Sequence, residues 1–287
     1  MSAPTIAEML KFANLQMAAE ALYSYNTKRS DPASLSPGDP LSLKGHDSGP
    51  IDQAILTTGN EHSSRFTPTE AAKFARDWVV VDHLSNTSTG FSGTLFRAVR
   101  DNPAQGIKAG ELVLSLRSTE FIDDARRDSV ATNGLEIKAF GWAFGQISDM
   151  EAWYGELQRS GKLPVGAHYS VTGYSLGGHL ATAFNLLRRE DGSAGQVDRV
   201  VTFNGAGVGK ITSGTLGQLI DDFRALRDHP ETIAARFADT DLGELYGTLR
   251  DRLADGHVPT ADDFALLDSL SPPDRKSTRL NSSHLVI

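Results

Sequence analysis

The sequence predicts an α/β fold, a mostly parallel sheet with helices on both faces, and three observations carry that prediction. Short β-runs and helical runs alternate between residues 91 and 203, as expected of strands joined by crossover helices. Within this region the string VTGYSLGGHLA (171–181) sets Gly173-Tyr174-Ser175-Leu176-Gly177 between a β-run and a helical run, so the chain turns from strand to helix on a serine. Composition adds the third: 39% hydrophobic and 22% charged residues over 287 positions suffice for a substantial core.

The elements follow in order. Residues 5–25 read as an amphipathic helix with Ile6, Met9, Leu10, Ala13, Met17 and Ala21 at helical spacing. Residues 28–50, rich in Ser, Pro, Gly and Asp, read as a loop. Thr67-Pro68-Thr69-Glu70 is a capping box with proline at the first helical position, opening a helix to about residue 78. Residues 91–99 and 111–117 are β-runs around the turn-rich DNPAQGIKAG, which predicts a hairpin. Ser148-Asp149-Met150-Glu151 predicts the cap of a helix reaching about residue 160. A β-run (168–172), the serine turn, a helix (178–187) and a β-run (199–203) come next. Residues 215–270 are polar and helical. The predicted organisation is an N-terminal helix and loop (1–50), an α/β core (51–212), a helical cap or insertion (213–273) and a tail (274–287).

The serine turn has a mechanical cause. A serine standing clear of a sheet edge sits on a very tight strand-to-helix turn at strained backbone angles. Glycines two residues before and after, Gly173 and Gly177, avoid the collisions larger residues would make there.

Composition excludes several classes. A net charge of −8 argues against nucleic acid and against simple attraction to anionic membranes. With no cysteine, disulfides, thiolate metal sites and cysteine nucleophiles are excluded. No metal-ligand spacing or phosphate-cradling glycine pattern occurs, so no cofactor is expected. The N-terminal stretch lacks a basic region and a continuous apolar core, and no run is apolar for long enough to be a transmembrane segment. A cytoplasmic location or a leaderless export route is expected.

Three segments, in order, resemble the class 3 (fungal-type) lipases among the α/β hydrolases: LVLSLRSTEFIDD (112–124), VTGYSLGGHLA, and VVTFNGAGVG (200–209). In that family a strand ends in Arg-Gly-Ser/Thr, the elbow reads Gly-His-Ser-Leu-Gly-Gly, and a Thr-Phe-Gly strand follows. The resemblance spans residues 111–209 and implies an α/β-hydrolase fold with Ser175 as nucleophile, forming an acyl-enzyme with an ester carbonyl. It implies two oxyanion donors. One is the backbone N–H of Leu176 at the helix start. The other is Thr119, for which a plain strand-end residue is the second reading. Asp123 or Asp124 resembles the acidic residue that fixes this loop. Ser118 departs from the family's glycine, Tyr174 from its histidine, and Asn204-Gly205-Ala206 from its Gly-x-Pro. His179, one helical turn after Ser175, is expected beside the site or facing solvent rather than acting as base, because the triad histidine comes last in this fold.

The acid and base are not assigned, and both are expected to be encoded beyond Pro273, so that this fragment lacks its catalytic Asp and His. The family places them after the next strand and on a late loop, whereas this chain offers Asp221, Asp222, Asp228, Asp239, Asp241, His229 and His257 within its helical region. The tail DRKSTRLNSSHLVI resembles a translated short-read sequencing adapter, so genuine sequence is expected to end near Pro273 and the chain to be a gene fragment. His284 is then no candidate, and without the tail's three basic and one acidic residues the charge falls to −10. Phe140, Trp142 and Phe144 lie where the family carries its lid and acyl pocket, or form a core strand; Trp153 and Tyr154 are expected in the core. The expected function is a serine carboxylic-ester hydrolase, a lipase or phospholipase acting on lipid or another ester. An acyltransferase and a non-catalytic lipid-binding domain retaining the elbow are the alternatives. The acidic, cysteine-free, leaderless character also resembles bacterial exoenzymes exported with calcium-binding repeats.

Overall fold

The structure, a computed structural model, describes residues 4–28, 46–59, 65–84, 87, 89–118, 141–211, 214–229, 234–237, 239–240, 242–243 and 247. Among the described residues, six α-helices and six strands are laid out in the order α1 (Ile6–Lys28), β1 (His46–Pro50), α2 (Gln53–Thr58), α3 (Pro68–Asp77), β2 (Trp78–Leu84), β3 (Gly93–Ala98), β4 (Leu112–Leu116), α4 (Phe144–Arg159), β5 (Tyr169–Tyr174), α5 (Leu176–Glu190), β6 (Val197–Phe203) and α6 (Leu216–Asp228).

The strands form one sheet in sequential order β1 to β6. The α/β class stands, but the sheet is mixed rather than mostly parallel. β1 to β4 pair antiparallel, and only β4–β5 and β5–β6 are parallel. The difference arises in the first half, where two strands escaped the sequence reading. β1, HDSGP, carries no hydrophobic residue and lies at the sheet edge. β2, WVVVDHL, follows α3 without a turn residue between them, so nothing punctuates the change of period. The hairpin is present, with Leu95 opposite Leu114 and Phe96 opposite Val113.

Two parallel crossovers stepping the same way along a sheet put their helices on one face. Accordingly α4, α5 and α6 share one core cluster with Leu114, Leu116, Tyr169 and Val171. Helices α1, α2 and α3 cover the other face over Trp78, Phe96, Val113 and Val201. From α6, Leu216, Ile220, Phe223 and Leu226 enter the first cluster, Phe223 stacking on Phe144 at 5.5 Å.

Local signals fare unevenly. The Thr67–Glu70 capping box is present with Pro68 inside it. The predicted cap at Ser148 is not one: α4 starts at Phe144, Ser148 lies within it, and its hydroxyl accepts from Arg224 Nε at 2.8 Å. Trp142 and Phe144 are buried, Trp142 on a bend and Phe144 opening α4, so no strand runs there; Phe140 lies outside the described residues. Trp153 and Tyr154 are core residues. On α1 the expected stripe holds in part, Ala21 being buried and Met9 and Met17 packing against the core. Ile6 and Leu10 are exposed, while Phe12, Leu15 and Ala19 are buried together with Lys11, Gln16 and Glu20. Polar groups occupying buried positions erase the periodicity on which the reading relied.

Candidate active site

The carboxyl ends of β4, β5 and β6 lie side by side, which is where open α/β sheets place their ligands. β5 ends at Tyr174 and α5 begins at Leu176, so Ser175 is the whole of the turn. Its backbone sits at φ 51° and ψ −116°, a conformation that costs an L-residue of order 1–3 kcal/mol and persists only when neighbours over-determine it. They do so here. The Ser175 N–H donates to the Phe203 carbonyl at 3.0 Å, and the Ser175 carbonyl accepts from Gly178, His179 and Ala206 at 3.0 to 3.2 Å.

The elbow glycines are steric requirements. A Cβ on Gly173 would stand 2.0 Å from the Gly177 carbonyl oxygen, and one on Gly177 would stand 2.1 Å from the Leu116 carbonyl oxygen. The second contact drives the start of α5 against the end of β4. The oxyanion reading requires that closeness, because β4 runs toward Thr119. Thr119, Asp123 and Asp124 themselves lie outside the described residues. At the first turn of α5, the backbone N–H of Leu176 has no acceptor among the described residues, as is usual for the opening residues of a helix. Ser175 is partly exposed, and no described side chain bonds its hydroxyl.

His179 is buried rather than solvent-facing. Its Nε2 accepts the Ala143 N–H at 3.1 Å, which leaves the proton on Nδ1 to donate to the Gly207 carbonyl at 2.9 Å. Burial pushes its pKa down to about 4, against a smaller upward effect of that carbonyl. With both nitrogens engaged by backbone it is a clamp between two loops, not a base. The same loops meet directly, Gly209 N–H donating to the Gly141 carbonyl at 2.7 Å. A Cβ on Gly141 would lie 2.2 Å from Gly209 Cα.

Beside the elbow, Asn204 also takes positive φ, 45°. Asparagine is the non-glycine side chain that best tolerates this region. Ser118, two residues past β4, is buried and its N–H donates to Glu20 Oε1 at 2.7 Å.

Among the described residues, none of the acidic and imidazole candidates of the helical region hydrogen-bonds Ser175. Asp221, Asp222 and Asp228 on α6 pair with Arg224, Arg236 and Arg227. His229 caps the end of α6, Asp239 is exposed, and Asp241 and His257 lie outside the described residues. A cavity of about 380 Å³ lined by Ile211, Leu219, Asp222, Arg236 and Phe237 does not include Ser175. Sequence reasoning missed the clamp of His179 and the reach of Glu20. A polar residue one turn beyond Ser175, and a Gln16–Glu20 pair four apart in a helix rich in alanine, were the available signals. Among the described residues no helix is long and apolar enough to cross a membrane. Comparison with protein-family models, with curated proteins and with solved structures finds no match to this chain.

Proposed function

We propose that the protein is a serine carboxylic-ester hydrolase of the α/β-hydrolase type, acting through an acyl-enzyme on Ser175. One observation carries the reading: Ser175 is held at positive φ between a parallel strand and a helix, with glycines on either side that no larger residue could replace. A structural turn has no need of that strain, whereas a nucleophile gains a hydroxyl raised above the sheet edge. Attack of Oγ on an ester carbonyl would place the developing oxyanion against the Leu176 N–H and the end of β4, where preoriented donors are worth most. The three-segment resemblance to class 3 lipases supports a lipid or similar carboxylic ester as substrate, and Thr119 as the second donor.

A serine-directed fluorophosphonate, applied to the protein expressed from the uninterrupted reading frame, tests this. Peptide mapping should find the label on Ser175, and Ser175→Ala should abolish it. Labelling that survives the substitution would overturn the assignment. Adding glycerol or another acceptor alcohol to the ester assay separates hydrolysis from acyl transfer by product. A protein that binds the ester but never labels is the non-catalytic alternative.

A further inference from the structure

Helix α1 lies across the sheet from α5, yet one of its side chains reaches the same strand end. Glu20 is 4% exposed, and its Oε1 accepts both the Ser118 backbone N–H at 2.7 Å and the Gln16 side-chain amide at 2.8 Å. Gln16 Oε1 in turn accepts from the Ser115 hydroxyl on β4 at 3.0 Å. Glu20 Oε2 is buried without a partner among the described residues. The other backbone group of Ser118, its carbonyl, accepts from Arg117 Nη1 at 3.0 Å, while Arg117 Nη2 donates to the Gly90 carbonyl at 2.7 Å. Both backbone groups of the last residue before Thr119 are thus held by buried, chargeable side chains, one from α1 and one from the neighbouring Arg117.

Stability alone is a poor reason for this arrangement. A strand-end N–H can be satisfied by water or a hydroxyl, whereas a buried carboxylate is desolvated at considerable cost and here leaves one oxygen unmatched. What the carboxylate adds is stiffness, since a charged acceptor makes a shorter and stronger bond than a neutral one. Oxyanion donors act only when held close to the productive geometry by a rigid surrounding shell. We infer that Glu20 is a positioning residue, which fixes the carboxyl end of β4 for the reaction at Ser175 by holding the Ser118 N–H. This rests on the proposed role of Ser175; Glu20 itself touches neither Ser175 nor substrate.

The test is fluorophosphonate labelling of Ser175 in the protein expressed from the uninterrupted reading frame, resolved into reversible binding (KI) and phosphonylation (kinact), for wild type, Glu20→Ala, Glu20→Gln and Glu20→Asp. Amide hydrogen exchange of residues 112–118 is read in parallel. Glu20→Ala should lower kinact about a hundredfold, the scale of losing one oxyanion donor, with KI unchanged and protection lost at the strand end. Glu20→Gln keeps an acceptor but not the charge, so it should recover both readouts in part, between Glu20→Ala and wild type. A wild-type kinact in folded Glu20→Ala would overturn the inference, as would failure of Glu20→Gln to recover any of the rate when its exchange pattern is native. If Glu20→Ala does not fold, Glu20→Asp decides: shortened by one methylene, it should slow phosphonylation at unchanged KI, and a wild-type rate overturns the inference. No labelling of wild-type Ser175 would instead overturn the nucleophile, and Glu20's role with it. A loss confined to the variants cannot be confused with that result.

Discussion

Acidification from pH 7 toward 4.5 should destabilise this fold through two imidazoles before most carboxylates titrate. His83 and His179 are each pushed from 6.5 to about 4, chiefly by burial. At His83 the neighbouring Asp82 opposes the shift and Arg117 adds to it; at His179 the Gly207 carbonyl opposes it. Because the folded values lie below the unfolded ones, the unfolded chain binds more protons between pH 6.5 and 4. Stability is therefore complete above 6.5 and is lost as pH falls toward 4. At about 1.4 kcal/mol per pH unit for each imidazole, the pair costs roughly 3 kcal/mol per unit and roughly 6 kcal/mol across the window. That is a large share of the roughly 5–15 kcal/mol that holds a domain folded. Glu8, Glu70 and Asp77, held below the usual carboxylate range, lose their contributions only at still lower pH. Glu151, raised chiefly by burial, works in the opposite direction and offsets part of the loss. Urea unfolding at pH 7, 6 and 5 would measure the slope in wild type and in His179→Gln, which should roughly halve it. A wild-type stability flat between pH 6.5 and 4.5, or an unchanged slope in the variant, would refute the burial argument.

Three further expectations follow from single contacts. Gly177→Ala pushes a Cβ into the Leu116 carbonyl, so it should cost about 1–3 kcal/mol in thermal or urea unfolding and slow Ser175 labelling more than tenfold. At Asn204, with φ 45°, glycine should be tolerated within about 1 kcal/mol, whereas valine should lose about 1–2 kcal/mol more by urea unfolding. Trp153→Phe removes the 2.6 Å bond from Nε1 to the buried carboxylate of Asp82 and should cost about 1.5–3 kcal/mol, read as a lowered unfolding midpoint.

How much was legible depended on whether one residue or many decided the outcome. The elbow was readable because its constraint is local: carbonyl oxygens about 2 Å from the would-be Cβ atoms at Gly173 and Gly177 leave glycine as the sole solution, and the string shows it. The Thr67 capping box is equally local. By contrast, β1 forms by pairing with β2 rather than by its own propensity, since HDSGP has no apolar face to bury. The start of α4 was misplaced because Ser148 resembles a cap in sequence, yet its hydroxyl is claimed by Arg224, 76 positions away. The buried face of α1 could not be read because Lys11, Gln16 and Glu20 are buried by partners on distant segments: Gly106 and Glu111 for Lys11, Ser115 for Gln16, and Ser118 for Glu20. A pattern of apolar residues has no means of announcing a buried charge whose partner lies about a hundred positions on.

That same long-range bonding explains how strain can be kept at the candidate site. Two non-glycine residues with positive φ, Ser175 and Asn204, stand at the ends of adjacent parallel strands, joined by the bonds from Ser175 N–H to Phe203 and from Ala206 N–H to Ser175. Neither could relax without breaking the other's support. Below them α5 is buried along Leu176, Leu180, Phe184 and Leu187, and its His179 ties Ala143 to Gly207. On the opposite face α1 holds the end of β4 through Glu20. Rotating Ser175 into an ordinary strand or helix conformation would disturb the α5 start, the loop after β6 and the end of β4 together. Each such contact is worth only about 1 kcal/mol by itself. Their geometric coupling, more than any single bond, is what would hold a hydroxyl in a conformation its own backbone disfavours.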